Sequence, residues 1–261
     1  MMKKGFTLIE LMLAMAFVSI LIIAIAILVM NIQGIYRRGI AMREVNSTSR
    51  AIVDDLTRSI NSAPAVVAGT HAVRFTNGAR IEGGAFCTGF YSYVWRQADF
   101  LLNGPFTGGV RINDSQDYRL LKMRDVGRLL CNPTNLQNAG LSGCNVTGGR
   151  LTCPVSGIHN LTSAAFGFGA PVELISSGGM ELALFDFDVF EPARSGVTGH
   201  VFYSGSFILG TPRGARTDAS GALFSTDVCQ PPADADRFDF QYCSINKFNF
   251  AASSLGAIGE R

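Results

Sequence analysis

Between Leu11 and Met30 every side chain is apolar except Ser19. A helix over that stretch rises about 30 Å, the thickness of a bilayer core. From Asn31 the pattern changes. Apolar residues recur at Ile35, Met42, Val45, Ile52, Val53, Leu56 and Ile60, the three-to-four spacing of one helix face. Arg43, Glu44, Arg50, Asp54, Asp55 and Arg58 alternate in sign around the rest of the surface. Gly34 and Gly39 weaken such a helix by about 1 kcal/mol each. Pro64 stops it, because proline disfavours helical geometry at Ala63 and has no N–H to donate. The pattern predicts one helix over residues 6–63, about 87 Å long if continuous. Its first half is apolar on all sides and its second half on one.

Past Pro64 the period shortens to two. Residues 72–76 and 79–82 flank Asn77-Gly78, a pairing that predicts a hairpin with a two-residue turn. From Glu181 to Phe190, Ala183, Phe185, Phe187 and Val189 fall on one face, and Leu184, Asp186 and Asp188 on the other. Val201–Leu209 and Phe238–Phe250 also read as strands. The stretch from Asn132 to Ala170 reads as a long loop stapled by cysteines. Only Gly5, Gly34 and Gly39 of the 29 glycines precede Pro64, so the rest of the chain is rich in turns. The expected class is α+β: a long N-terminal helix packed by its second half against a mainly antiparallel β-sheet head.

Composition removes several classes of function. Hydrophobic residues make up 48% and charged residues 16%, which excludes a disordered polyampholyte. A net charge of +2 is too balanced for a general nucleic-acid binder. No Gly-x-Ser-x-Gly occurs, Gly167-Phe168-Gly169 follows no strand–helix boundary, and His71, His159 and His200 have no neighbouring nucleophile. No enzymatic constellation and no cofactor site is expected, and His71 and His200 read as surface or edge residues. Asp234, Asp236 and Asp239 are weak candidates for a calcium site and fit solvated turn acids better. Six cysteines, Cys87, Cys131, Cys144, Cys153, Cys229 and Cys243, all lie beyond the apolar run, and none forms a Cys-x-x-Cys pair. That usage suggests disulfides formed outside the cytoplasm, in pairings that spacing does not decide.

The first residues carry the most specific information. Lys3-Lys4-Gly5 leads directly into Phe6-Thr7-Leu8-Ile9-Glu10 and the apolar run. A secretory signal has its small-residue cleavage site after the apolar stretch. Here Ala14-Met15-Ala16 and Ala24-Ile25-Ala26 lie within it, so the segment is expected to remain on the mature chain. Glu10 is the one acid in that region, and an ionised carboxylate placed centrally in a bilayer costs about 3 kcal/mol. Cleavage after Gly5 would create a partner for it: an α-amino group on Phe6, which on a neighbouring copy could neutralise the carboxylate. The alternative is an interfacial Glu10 touching lipid headgroups.

In this order, basic leader, Gly5, Phe6, Glu10 and apolar run, the segment resembles the class III signal of type IV prepilins and pseudopilins. The resemblance covers the first 30 residues closely and the first 63 in architecture. Where many type IV pilins have a proline within the helix, this chain has Ile27. The resemblance implies a leader (1–5), a transmembrane and stalk helix (6–63) and an extracytoplasmic head (64–261). It implies cleavage between Gly5 and Phe6 by prepilin peptidase, N-methylation of Phe6, and assembly through Glu10. The implied partners are other pilin subunits, the peptidase, an inner-membrane assembly platform and, before assembly, the membrane itself. The implied function is structural, a minor pilin or pseudopilin in a pilus or periplasmic pseudopilus. A tip adhesin or DNA-uptake subunit, binding glycan or nucleic acid, is the alternative on the same scaffold. The loop between Cys229 and Cys243 resembles the C-terminal disulfide loop of many type IV pilins, with Cys243–Cys87 as the competing pair. Cys131 is matched to either Cys144 or Cys153.

Overall fold

The computed structural model describes residues 7–63, 71–77, 80–97, 118–138, 143–147, 150–154, 172–175, 182–190, 202–211 and 244–254. A single helix, α1 (Leu8–Asn61), runs for 54 residues, about 81 Å, without a break at Ile27, Gly34 or Gly39. At its end the Ser62 N–H bonds the Arg58 carbonyl at 2.9 Å, and the Ser62 hydroxyl donates to the Ser59 carbonyl. Only the second half of α1 is covered. Its buried stripe is Ala41, Val45, Ser49, Ile52, Leu56, Ser59 and Ile60, each three or four residues from the next apart from the adjacent last pair. Ile35 and Met42, expected on that stripe, are exposed by 75% and 52%. Small Ala41 and Ser49 hold the stripe instead, where the helix meets the sheet.

The head is a ten-stranded sheet. In chain order its strands are β1 (Ala72–Asn77), β2 (Arg80–Cys87), β3 (Tyr91–Gln97), β4 (Tyr118–Arg124), β5 (Asn145–Thr147), β6 (Arg150–Pro154), β7 (Val172–Glu173), β8 (Ala183–Phe190), β9 (Phe202–Gly210) and β10 (Ile245–Ser253). A 3₁₀ turn (Leu129–Cys131) and a short helix, α2 (Pro133–Asn138), lie between β4 and β5. The spatial order is β10-β9-β8-β4-β3-β2-β1-β6-β5, with β7 added on β4. Every pairing is antiparallel except β1 with β6. β4 and β8 share one residue pair, Tyr118 with Leu184, so the sheet bends sharply there. The bend folds β8 and β9 over β1–β3. Trp95 on β3 meets Phe187 on β8 at 4.5 Å between ring centroids, and Phe86 on β2 meets Tyr203 on β9 at 5.5 Å.

Two cores result. Val45, Ile52, Leu56 and Ile60 of α1 pack into the folded inner face, among Phe86, Tyr93, Trp95, Leu120, Phe187, Tyr203, Phe207 and Phe250. The other face of β1–β4 buries Val73, Phe75, Ala85, Val94, Leu121 and Met123 under Leu130, Leu136 and Leu151. Two glycines make close approach possible. A Cβ at Gly84 would fall 2.3 Å from the Trp95 ring, and one at Gly205 would fall 2.5 Å from the Phe250 ring. In both cases the aromatic sits directly across the ladder and fills the space the glycine leaves.

Several expectations shift by a residue or a face. The β1–β2 hairpin forms, but Asn77 pairs with Arg80, so the two-residue connection is 78–79 rather than Asn77-Gly78. Val73, Phe75 and Ala85 share one buried face, and a register shift between Phe75 and Thr76 then brings Asn77 opposite Arg80. In β8 the ladder slips between Leu184 and Asp186, which turns Leu184 into the core instead of outward with the aspartates. The last strand begins at Ile245; residues 238–243 lie outside those described. The expected loop after Asn132 contains α2 and the β5–β6 hairpin. His71 is buried, not at the surface, because the fold of the sheet carries Tyr203 to within 2.9 Å of its Nδ1.

Candidate functional site

From Leu8 to Ile40 every large apolar side chain of α1 is exposed, by between 42% for Ile40 and 76% for Leu8. By length and composition this helix is apolar enough to cross a membrane; its best window has a mean hydropathy of 3.1 and no burial within the chain. A helix bare and apolar on all sides needs lipid or other helices around it. Ser19, the one polar residue of the run, donates its hydroxyl to the Met15 carbonyl at 2.8 Å and is satisfied within its own helix.

Glu10 is held at the helix start. Thr7 is the N-cap, and its hydroxyl accepts from the Glu10 N–H while the Glu10 carboxylate accepts from the Thr7 N–H at 2.9 Å. The Thr7 hydroxyl also lies 2.9 Å from the same carboxylate oxygen. This is a capping box, which satisfies two of the backbone donors left open at a helix N-terminus. Thr7-x-x-Glu10 spells it in the sequence, where the carboxylate stands out only as an anomalous charge. Gly5 and Phe6 lie outside the described residues.

The bare half is tied rigidly to the head through a polar junction at the other end. Asp55 on α1 accepts from Lys122 Nζ on β4 at 2.7 Å and from the Tyr93 phenol on β3 at 2.8 Å. Ser59, one turn on, lies 2.6 Å from the same phenol oxygen. Burial, with the Asp55 charge beside it, pushes the Tyr93 phenol far above its ordinary range, so it remains a neutral donor. Lys122 also sits 4.2 Å over the Tyr91 ring. The hydrogen bonds among them join residues 34 to 67 positions apart, and no local spacing announces them.

Two disulfides pin the outer core. Cys87, at the end of β2, bonds Cys131 of the 3₁₀ turn, and Cys144 bonds Cys153 across the β5–β6 hairpin. The match of Cys131 with Cys144 or Cys153 is therefore corrected, and Cys87 is not available to Cys243. Asp125 explains the first bridge. Its carboxylate accepts from the N–H groups of Leu129 and Leu130 and from the Ser92 hydroxyl at 2.6 Å, folding the turn back over β2. The second follows from register, since Asn145 faces Thr152 and places Cys144 opposite Cys153, 4.2 Å apart at Cα. Cys229, Cys243, Asp234, Asp236, Asp239, His159 and His200 lie outside the described residues. Among the described residues no three metal-ligating side chains come together.

Beneath the β4 strand, Arg119 and Glu173 form a buried ion pair at 3.6 Å, each side chain 7% exposed. Arg119 also donates to the Leu182 carbonyl at 2.9 Å. Loss of water around Glu173 raises its carboxyl above the usual range, against the pull of Arg119. The pair joins β7 to β4. Comparison with protein-family models, with curated proteins and with solved structures finds no match to this chain.

Proposed function

We propose that this chain is a structural subunit of a type IV filament, a minor pilin or pseudopilin made as a prepilin and assembled through α1. The observation that carries the reading is the division of α1: a half bare on every side, begun by a capped Glu10, and a half locked into a folded head. A membrane anchor alone needs the first feature. A subunit that packs among copies of itself needs the rigid junction as well, because the head must follow the helix into a lattice.

On this reading the head lies outside the cytoplasm, where its disulfides form. Prepilin peptidase cuts between Gly5 and Phe6, and the new Phe6 amine is methylated. The leader takes Lys3 and Lys4 with it, so the side-chain charge falls from +2 to 0 (+2 − 2). Intact-mass measurement on protein extracted from membranes tests this. The expected mass is that of residues 6–261 plus one methyl group. A chain that retains the leader, or one cut after Ala26, overturns the proposal.

A further inference from the structure

The apolar surface of α1 does not end at Met30. Ile32, Ile35 and Tyr36 continue it, exposed by 56%, 75% and 68%. From Leu8 to Tyr36 the helix rises about 42 Å, which matches a bilayer taken with its headgroup layers, about 40–45 Å. Tyr36, an apolar ring with a polar tip, is the residue type favoured at that level. Arg38 and Arg43 follow within about 10 Å, both exposed, and Ala41 between them is the first residue of α1 that the head buries. Helical side chains lean toward the N-terminus, so both arginines reach back toward the apolar half. Among the described residues neither has a hydrogen-bond or ion-pair partner; Arg37 is engaged in another interaction and is left out of the count. Glu44 is the one acid from Asn31 to Ser49.

We infer that Arg38 and Arg43 bind the phosphates of anionic phospholipids and so seat the head on the bilayer surface. Five residues apart, they leave the helix about 140° from each other. A small anion or one acidic peptide segment meets only one of them, whereas a headgroup layer surrounds the helix and meets both. Each guanidinium is a planar fork that holds a phosphate through two hydrogen bonds. Ile35, Tyr36 and Ile40, all exposed, lie beside them to receive the upper acyl chains. A zwitterionic lipid carries the same phosphate with its own cation attached, so lipids of net negative charge are preferred. The inference rests on the bare half being covered by lipid and not on its assembly with other copies.

The test titrates the full-length chain in neutral detergent with phosphatidylglycerol or with phosphatidylcholine of equal chain length, and counts bound lipids by native mass spectrometry. Phosphatidylglycerol is expected to bind at least about fivefold more tightly, the worth of one arginine at a negative surface. Arg38→Gln with Arg43→Gln should bring the two lipids to within about twofold and leave phosphatidylcholine binding unchanged. Lys3→Gln with Lys4→Gln, at the other end of the span, should keep the preference. Inorganic phosphate should not compete, because it has no acyl chains to lay against the helix. Disulfide mapping checks the fold of each variant, and the single Arg38→Gln and Arg43→Gln variants, each with a partial loss, replace the double one if it misfolds. Binding of neither lipid overturns the membrane reading of the bare half and this inference with it. Equal binding of both lipids, a preference that survives the arginine variants or is lost with the lysines, or full competition by inorganic phosphate overturns the arginine assignment alone.

Discussion

Glu10 sits in a capping box and, on the filament reading, also neutralises the Phe6 amine of a neighbour, and substitution separates the two roles. Thr7→Ala removes the cap and leaves the charge. Glu10→Gln removes the charge and leaves a side chain that serves equally as the third residue of a capping box. Glu10→Val removes the charge and the carboxylate's half of the box, while the Thr7 hydroxyl can still accept from the backbone N–H at position 10. A lost cap costs about 1 kcal/mol and frays one turn of a 54-residue helix. A desolvated ion pair that loses one member costs about 3–5 kcal/mol, because the remaining charge stays unpaired. Converted to populations, that is a loss of about 100-fold or more, against less than about tenfold for the cap. Sheared filaments are collected for each variant and the subunit is quantified, with membrane level and the mass of the processed chain measured alongside. Thr7→Ala should enter filaments nearly as well as wild type, whereas Glu10→Gln and Glu10→Val should both be excluded while their membrane level stays normal. If Glu10→Gln assembles like wild type, the charge has no part in assembly and the carboxylate is a cap only.

Three further predictions concern the head and stalk. Replacing Cys87 and Cys131 together with alanine should destabilise the head by about 4 kcal/mol, the loop-closure term for a 44-residue separation, measured by denaturant unfolding; a loss under about 1 kcal/mol contradicts it. A Cβ added at Gly39 would meet nothing within 4 Å, so Gly39→Ala should raise stalk helix stability by up to about 1 kcal/mol, read from thermal melting in detergent; a lower melting point refutes it. Glu173 has a folded-state pKa above its unfolded 4.5, so between 4.5 and its raised range the folded state holds more protons than the unfolded state, and stability is lost as pH rises through that window. The stability of wild type minus that of Glu173→Gln should therefore fall over that window, and a flat or rising difference rejects the cause assigned to the shift.

What is legible in the sequence is what local pattern governs. The helix can be read to within two residues at each end because an unbroken apolar run, an amphipathic continuation and Pro64 leave few alternatives. The hairpin of β1 and β2, and the cores of β8 and β9, follow from alternation. β3 and β4 do not. Both faces of these strands are buried, with Trp95 and Leu120 in one core and Val94, Leu121 and Met123 in the other, so the polar half of the alternation is missing. The buried stripe of α1 departs from the sequence pattern for a related reason: large side chains mark a face in sequence, whereas Ala41 and Ser49 are there because of how near the sheet comes. The buried Ser49 hydroxyl has no hydrogen-bond partner among the described residues, which fits a position governed by size. Cysteine pairing is illegible because Cys131 reaches Cys87 only once Asp125 has folded the 3₁₀ turn.

The bare half of α1 limits the states this chain can occupy. About twenty large apolar side chains are uncovered there. At about 1.5 kcal/mol each, leaving them in water forfeits roughly 30 kcal/mol, more than the whole stability of an ordinary domain. Every populated state therefore covers them, with lipid or with neighbouring helices. Exchanging one cover for the other changes little apolar energy, since acyl chains and Leu-rich helix surfaces are about equally apolar. The balance between them then falls to the polar groups on the run. Ser19 is satisfied by its own backbone in either place. Among the described residues Glu10 meets only Thr7, which supplies hydrogen bonds but no positive charge, and the next cation along the helix is Arg37, 27 residues and about 40 Å away. On the filament reading, Glu10 is the one group on this half that a neighbour's Phe6 amine can neutralise and lipid acyl chains cannot. A single carboxylate can then decide the direction of transfer from bilayer to bundle, although it adds almost nothing to the surface that is buried.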